Sequence, residues 1–516
     1  MSHMKAQQTR TFPPLLRIAT VAIPLALTAC TLEPTYERPD QPVPNAWPTG
    51  AAYVQGTGVQ AQAQTPAASL GWEDFFTDPG LRRLIELALA NNRDLRMATL
   101  AIDQARAQYR IQRAAQFPSL DANASMVATR IPGALIGQGA QSSVIHAYAA
   151  GVGFNAFELD VFGRVRSLKH EALEQYLAVQ EVQRSAQISL VAEVASAYLT
   201  LQADRALLKI SQDTLKVQQD TVQMVERSKR AGGMAQIDMH RAQTQLETAR
   251  VGVEQYTRQV AQDENALTLL VGTQLPADLP APQPFENTSF VAELPPGLPS
   301  ALLEQRPDIM AAEHRLKAAN ADIGAARAAF FPSISLTAAI GVASTALAGL
   351  FSSGMAWAFA PQITMPIFHG GANQARLDAS KVQKDINVAA YEKTIQQAFR
   401  EVADGLAARG TYDRQAAAQE TLSREIEETR RLSEMRFRNG VDNYFPVFDA
   451  QRQLYSAQQT LVTIRLARLT SRVDLYKALG GGWSQHTAMA EAPAAQSAAP
   501  GAQAASASLR TGTASR

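Results

Sequence analysis

Cysteine is almost missing. One residue, Cys30, is present in 516, so neither an intrachain disulfide framework nor a cysteine-built zinc site can form. The seven histidines are scattered, with no HxxxH or HExxH pair. Charge of one sign is missing as well. There are 48 Lys+Arg against 47 Asp+Glu, a net charge of +1, which removes the basic excess expected of a nucleic-acid binder. No segment after the N-terminus reaches the run of about 18 apolar residues that a membrane-spanning helix needs. Transmembrane strands stay possible, because their alternating signal is weak in a hydropathy average. A nucleophile elbow, a P-loop, a metal-ligand spacing and a dinucleotide fingerprint are all lacking. An enzymatic reading therefore has no residues to rest on.

What is present begins at the front. Lys5, Arg10 and Arg17 precede a short apolar stretch, Ile18 to Leu27, which ends in Leu27-Thr28-Ala29-Cys30. The pattern is that of an export signal covering residues 1–29 and resembles a bacterial lipobox. The lipobox resemblance implies a diacylglyceryl group and an N-acyl chain on Cys30 and no other cofactor; several acyl chains on one residue anchor firmly where one does not. Thr31, not Asp, follows the cysteine, which points to the outer membrane. Residues 30–80 start as a Pro-rich extended tether with no core of its own. Residues 484–516 are Ala/Ser/Gln-rich and predicted to be disordered.

The body is an internal duplication. Asn92-Arg93-Asp94-Leu95 answers Arg306-Pro307-Asp308-Ile309, and Phe117-Pro118-Ser119-Leu120 answers Phe331-Pro332-Ser333-Ile334, both at an offset of 214 with no gap between them. Later landmarks drift to offsets of 206–208: Glu193-Val194-Ala195 with Glu401-Val402-Ala403, and Arg230-Ala231-Gly232 with Arg438-Asn439-Gly440. Repeat 1 spans 81–272, a Pro-rich linker 273–299, and repeat 2 300–483.

Each repeat has the same predicted order. A helix (Leu81 to Ala115; Ser300 to Ala329) stops before a Phe-Pro, since proline disfavours helical geometry in the residue before it. Two alternating segments follow. The outgoing pair carries Leu120, Ala122, Ala124, Met126 and Ile334, Leu336, Ala338, Ile340. The returning pair carries Val152, Phe154, Ala156 and Trp357, Phe359, Ile363, Met365. Period two with one apolar and one polar face predicts strands between two different solvents; an amphipathic hairpin on a soluble core fits a single hairpin as well, and the export signal with its acyl anchor shifts the reading to a lipid-facing, water-lined barrel wall. Gly163 to Arg230 then contains no proline and no internal glycine, so a continuous helix there would run roughly 100 Å. Val194, Leu201, Leu208, Leu215 and Val222 recur every seven residues as a coiled-coil seam. The chain turns at Gly232-Gly233 and returns over Gln236 to Val271; Gln374 to Arg438, Asn439-Gly440 and Asn443 to Leu479 repeat the scheme.

Four strands cannot close a barrel, and lipid does not tolerate an open sheet edge, so several copies must pool their strands. Two copies would make eight strands, a bore filled by side chains; three would make twelve, which could leave a water channel. The long helices would continue the tube into the periplasm.

These residues resemble the TolC superfamily of outer-membrane efflux proteins, in its lipidated OprM/NodT-like branch. The resemblance is carried by the lipobox, Pro34-Thr35-Tyr36-Glu37-Arg38-Pro39, Trp72 with Phe75-Phe76, the paired Phe-Pro-Ser motifs, Leu159-Asp160-Val161-Phe162-Gly163-Arg164, Gly440-Val441-Asp442-Asn443-Tyr444, Asp449-Ala450-Gln451, and Leu475 to Trp483. It implies an α+β membrane protein: a homotrimer with a 12-stranded β-barrel continued by a 12-helix periplasmic α-barrel. It implies a passive, non-enzymatic exit duct for drugs and other small toxic compounds, working with a periplasmic adaptor and an inner-membrane resistance–nodulation–division pump, with no nucleic-acid partner. A protein-secretion duct of the same superfamily and a lipid-anchored coiled-coil scaffold are the alternatives; the scaffold leaves the alternating hairpins unexplained.

The resemblance also implies site residues. Asp449 and Arg452 would line a narrow pore at the periplasmic tip, with Phe445 as an apolar ring and Tyr444 and Asp442 beside it. The alternative for Asp449 and Arg452 is a surface ion pair three residues apart on a helix; a turn role would account equally for Asp442. Arg230, Ala231, Gly232, Arg438, Asn439 and Gly440 would present the tip to the adaptor, a role compatible with plain helix C-caps.

Overall fold

The computed structural model describes residues 31–53, 67–132, 142–280, 285, 302–352 and 354–487. The signal peptide, Cys30, most of the linker 273–299 and the tail beyond 487 lie outside the described residues.

The duplication sets the element order. Repeat 1, preceded by the short helix α1 (Trp72–Phe75), has α2 (Pro79–Asn91), α3 (Arg93–Ala114), β1 (Asp121–Ile131), β2 (Ser143–Leu159), α4 (Arg164–Arg230) and α5 (Gln236–Val271). Repeat 2 has α6 (Leu302–Gln305), α7 (Pro307–Ala328), β3 (Ser333–Ser344), β4 (Met355–Thr364), α8 (Ala372–Arg438) and α9 (Phe445–Ala478). The two long helices, α4 and α8, have 67 residues each, which is about 100 Å of helix.

The first helix of each repeat is not continuous, contrary to the sequence expectation, and both breaks fall at the first duplicated motif. At Asn92 the backbone turns extended, the side chain accepts from Leu95 N at 2.9 Å, and its amide donates to Leu270 O at 2.9 Å. This N-cap outcompetes helix continuation. At Arg306 the following proline forbids the helical conformation. Arg306 is buried and its guanidinium donates to Asp308, to Glu401 at 2.8 Å and to Ala478 O at 2.8 Å. The return helices close onto these breaks. Gly272 and Gly480, both left-handed, sit against the carbonyls of Asn91 and Gln305, where a Cβ would come within 2.5 and 2.9 Å.

The four strands form one antiparallel sheet in the order β1-β2-β3-β4. Cross-strand partners put Val152 beside Ile340, Ile340 beside Trp357, Ala338 beside Phe359 and Ile334 beside Ile363. That apolar face is matched by a small and polar one, with Asn123 beside Gly151, Gly151 beside Gly341, and Ser335 beside Gln362. One detail of the expected alternation is corrected. A bulge between Phe154 and Phe157 leaves Ala156 at φ 52°, so the outward row continues through Phe157 and Leu159 and not through Ala156. Both outer strands, β1 and β4, have an unpaired edge.

The main core lies at the equator, where α1, α2, α4, α8 and α9 converge. Phe75 stacks on Tyr476 at 4.0 Å, and Trp72, Phe76, Leu81, Leu84, Val194, Leu199 and Val473 are buried around them. The extended segment from Thr31 straps this body. Arg327 donates to Leu32 O at 3.1 Å, Asn320 to Pro34 O at 2.6 Å, Arg38 clamps Glu313, and Trp47 stacks on Phe399. His170 joins Glu33 at 2.9 Å. At the other end, Ser484–Thr487 lie bonded along α1, through Trp72 N to Ser484 O and Thr487 N to Asp74, so order extends four residues into the segment expected to be structureless.

Candidate functional site

The helical tip lies where α4 turns into α5 and α8 turns into α9. Both turns close with glycine in the left-handed region, Gly232 at φ 78° and Gly440 at φ 68°. Their neighbours Gly233 and Asn439 are not left-handed, so each turn uses one such residue where the sequence offered two. The last carbonyls are capped by Gly233 N to Ser228 O at 2.9 Å and Val441 N to Arg436 O at 3.0 Å, the expected helix-ending geometry. Arg230, Ala231, Gly232, Arg438, Asn439 and Gly440 are all exposed. Arg230 pairs with Glu226 and Arg438 with Glu434 along their own helices, and Asn439 donates to Met435 O.

The other site residues separate into two groups. Asp449 sits on the first turns of α9, accepting from Arg452 at 3.0 Å and Gln453 at 2.6 Å. The pair is solvent-accessible, so it contributes little to stability in this chain alone, and both carboxylate oxygens are engaged within α9. Phe445 is 48% exposed, with the Arg241 guanidinium 5.1 Å from its ring centre. Asp442 accepts two hydrogen bonds from Arg436, and that contact holds its carboxyl below the usual range. It ties the turn to the end of α8.

Tyr444 belongs to the second group, and here the structure corrects the expectation. Its side chain is 1% exposed, inside an apolar cluster with Val225 of α4, Ala242 of α5 and Val447 of α9. Phe437 meets it edge-on at 5.7 Å. Burial pushes the phenol up to about 12, and its hydroxyl has no hydrogen-bond partner among the described residues. Tyr444 is therefore the bolt that joins one helix pair to the other, not a lining group.

Above this bolt the α9 seam is polar, and sequence reasoning missed it. Tyr455 meets Ser211 at 2.9 Å, Gln218 donates to Gln451 at 3.2 Å, and Gln459 donates to Tyr256 at 3.3 Å. Gly252 makes room for the Tyr455 hydroxyl. The expected heptad row holds at Val194 and Leu201. In the distal half, the buried row is instead Leu207, Ser211, Gln218, Thr221 and Val225. Apolar heptads alone gave no signal for it, because its members there are mostly polar.

Two helix pairs bolted at an exposed tip, below a sheet with one apolar and one polar face, are what a channel subunit requires. The model of the family described as outer membrane efflux protein matches residues 84–273 and again residues 298–481. The chain belongs to the outer membrane efflux protein family. The match thus comes in two segments, separated by residues 274–297. The antibiotic efflux pump outer membrane protein ArpC of Pseudomonas putida is 51% identical over 477 residues, 92% of this chain and 97% of that one. The toluene efflux pump outer membrane protein TtgC of the same species matches at the same identity and coverage. Among solved structures, the open state of the Neisseria gonorrhoeae MtrE outer membrane channel superimposes with a TM-score of 0.80 at 39% identity, covering 89% of this chain and all of that one. Family membership makes the chain an outer-membrane efflux duct component with its helices in the periplasm.

Proposed function

We propose that three copies assemble into one channel that carries antibiotics, solvents and similar small toxic molecules outward, as the exit duct of a tripartite pump. One observation carries the assembly. Helix α7 is packed by both α4 and α8, and fifteen of its residues are buried; its duplicate α3 packs against α4 and buries only Leu95. The side of α3 left bare is the one that faces a long helix in the other repeat. A second copy supplies that helix, while its β4 edge meets the bare β1 edge. Repetition of this contact closes a ring, and three copies give the twelve strands that leave a water-filled bore.

Cys30 carries the acyl anchor; two residues beyond it, the Leu32 carbonyl accepts from Arg327 near the end of α7. Three copies of Asp449 ring the tip and favour cations, with Phe445 narrowing the path. The exposed turns at Arg230–Gly232 and Arg438–Gly440 receive the periplasmic adaptor, which connects the duct to an inner-membrane pump of the resistance–nodulation–division class.

The test is complementation of a strain that lacks its own exit duct but retains adaptor and pump, together with single-channel recording of the purified protein. Restored drug resistance and a cation-preferring conductance that weakens in Asp449→Asn are expected. No restored resistance would overturn the duct; unchanged ion preference in Asp449→Asn would remove Asp449 from the pore.

A further inference from the structure

The strap lies on one face of α7 only. Its contacts use Glu313, Asn320, Gly324 and Arg327: Asn320 bonds Pro34 O, Arg327 bonds Leu32 O, and a Cβ on Gly324 would come within 2.9 Å of the Glu33 Cα. The gap-free offset of 214 carries the last three positions to Arg106, Arg110 and Arg113 of α3. Spacings of four and three put them on one helix face. No described segment of the chain covers that face, and all three arginines are exposed. Arg106 is braced by Tyr176 at 3.3 Å and by Asp103 at 3.2 Å. The Arg110 and Arg113 guanidinium groups are exposed, with no ion-pair partner among the described residues. Two of the three positions differ, Asn320 against Arg106 and Gly324 against Arg110, so the α3 face carries three arginines where the strap-binding face carries one.

Its height and direction follow from the strap. Arg113 stands four residues before Phe117, as Arg327 stands four before Phe331. Arg327 holds Leu32, two residues beyond Cys30. Acyl chains on Cys30 must reach lipid, so the strap face is the outer face of the tube, and this level is the periplasmic surface of the bilayer. Phe117, 66% exposed and three residues beyond the end of α3, marks the same boundary.

We infer that Arg106, Arg110 and Arg113 form a docking surface for the phosphate headgroup of an anionic phospholipid in the periplasmic leaflet of the outer membrane. The guanidinium fork matches phosphate oxygens in a bidentate manner, and basic side chains at a bilayer surface favour anionic over zwitterionic lipid. The inference rests on the lipid-anchored, oligomeric reading above.

Native mass spectrometry of the acylated full-length protein, given equal phosphatidylglycerol and phosphatidylcholine, tests it. Phosphatidylglycerol adducts should dominate on the wild type and fall by about tenfold in Arg106→Gln/Arg110→Gln/Arg113→Gln, while phosphatidylcholine adducts stay level. Equal occupancy of the two lipids on the wild type overturns the inference, as does an unchanged phosphatidylglycerol count in the variant. Should the triple variant fail to assemble, the wild type decides through salt: a preference that survives high salt undiminished is not made by exposed arginines. The same spectra report the mass of the assembly, so a monomer would refute the trimer separately from the lipid site.

Discussion

Tyr444 offers the sharpest test of how the tip is held. Its ring fills the junction of α4, α5, α8 and α9, while its hydroxyl is buried without a partner among the described residues. The two halves of the side chain therefore act in opposite directions. Tyr444→Ala removes a fully buried ring, a loss of about 3–5 kcal/mol in comparable cores. Local opening of the tip should become easier by at least about 3 kcal/mol, or roughly a hundredfold in the opening equilibrium. Tyr444→Phe keeps the ring and removes only an unsatisfied hydroxyl, so it should tighten the tip by about 1 kcal/mol, or roughly fivefold. Hydrogen–deuterium exchange of peptides covering 221–246 and 434–450 reads both effects, with conductance bursts as a second measure. Exchange should be much faster in Tyr444→Ala and slower in Tyr444→Phe than in the wild type. If Tyr444→Phe loosens the tip as much as Tyr444→Ala, the hydroxyl has a partner in the assembly and the packing account is wrong.

Other consequences concern the sheet, the helix breaks and pH. Gly341→Val would drive a Cβ into the backbone carbonyl of Ala150 across β2 and β3; the sheet should fail to form, read as loss of outer-membrane protein, and normal insertion would contradict the register. Arg306→Ala strands the buried Ala478 carbonyl at the equator and returns the half-exposed Glu401 carboxylate to water, with an expected cost of about 2 kcal/mol in thermal unfolding; a change within experimental error would show that the guanidinium is dispensable. Burial, with the Asp263 carboxyl facing it, pushes Asp204 from 3.8 up to about 6. The folded chain then keeps this proton to higher pH than the unfolded one, so the associated stability is full below the lower value and lost as pH rises through the higher. Asp204→Asn should raise stability at pH 7 by on the order of 1 kcal/mol after solvent screening and flatten the thermal profile between these values; an unchanged slope refutes the shared proton.

The duplication, the long helices, the paired hairpins and the positions of the tip turns were legible in the sequence because each follows from a local rule. Proline ends a helix, period two makes a strand, an unbroken run without proline or glycine continues a helix, and glycine closes a turn. Tertiary contact decided the rest. Asn92 and Leu95 read as ordinary helix residues until the Leu270 carbonyl is found waiting for the Asn92 amide. Nothing in the row Ser211, Gln218, Gln451 and Tyr455 marks it as buried, because polar residues become a seam only when their partners arrive from a helix more than two hundred residues away. Tyr444 looks like a pore residue in the sequence, and packing from four helices makes it a bolt. The same holds for the two copies of the first long-helix neighbour: near-identical placement in the chain, yet α7 is buried on both sides and α3 stands bare. Local pattern sets the conformation of a segment, whereas which face is covered depends on what else the chain, or another chain, brings against it.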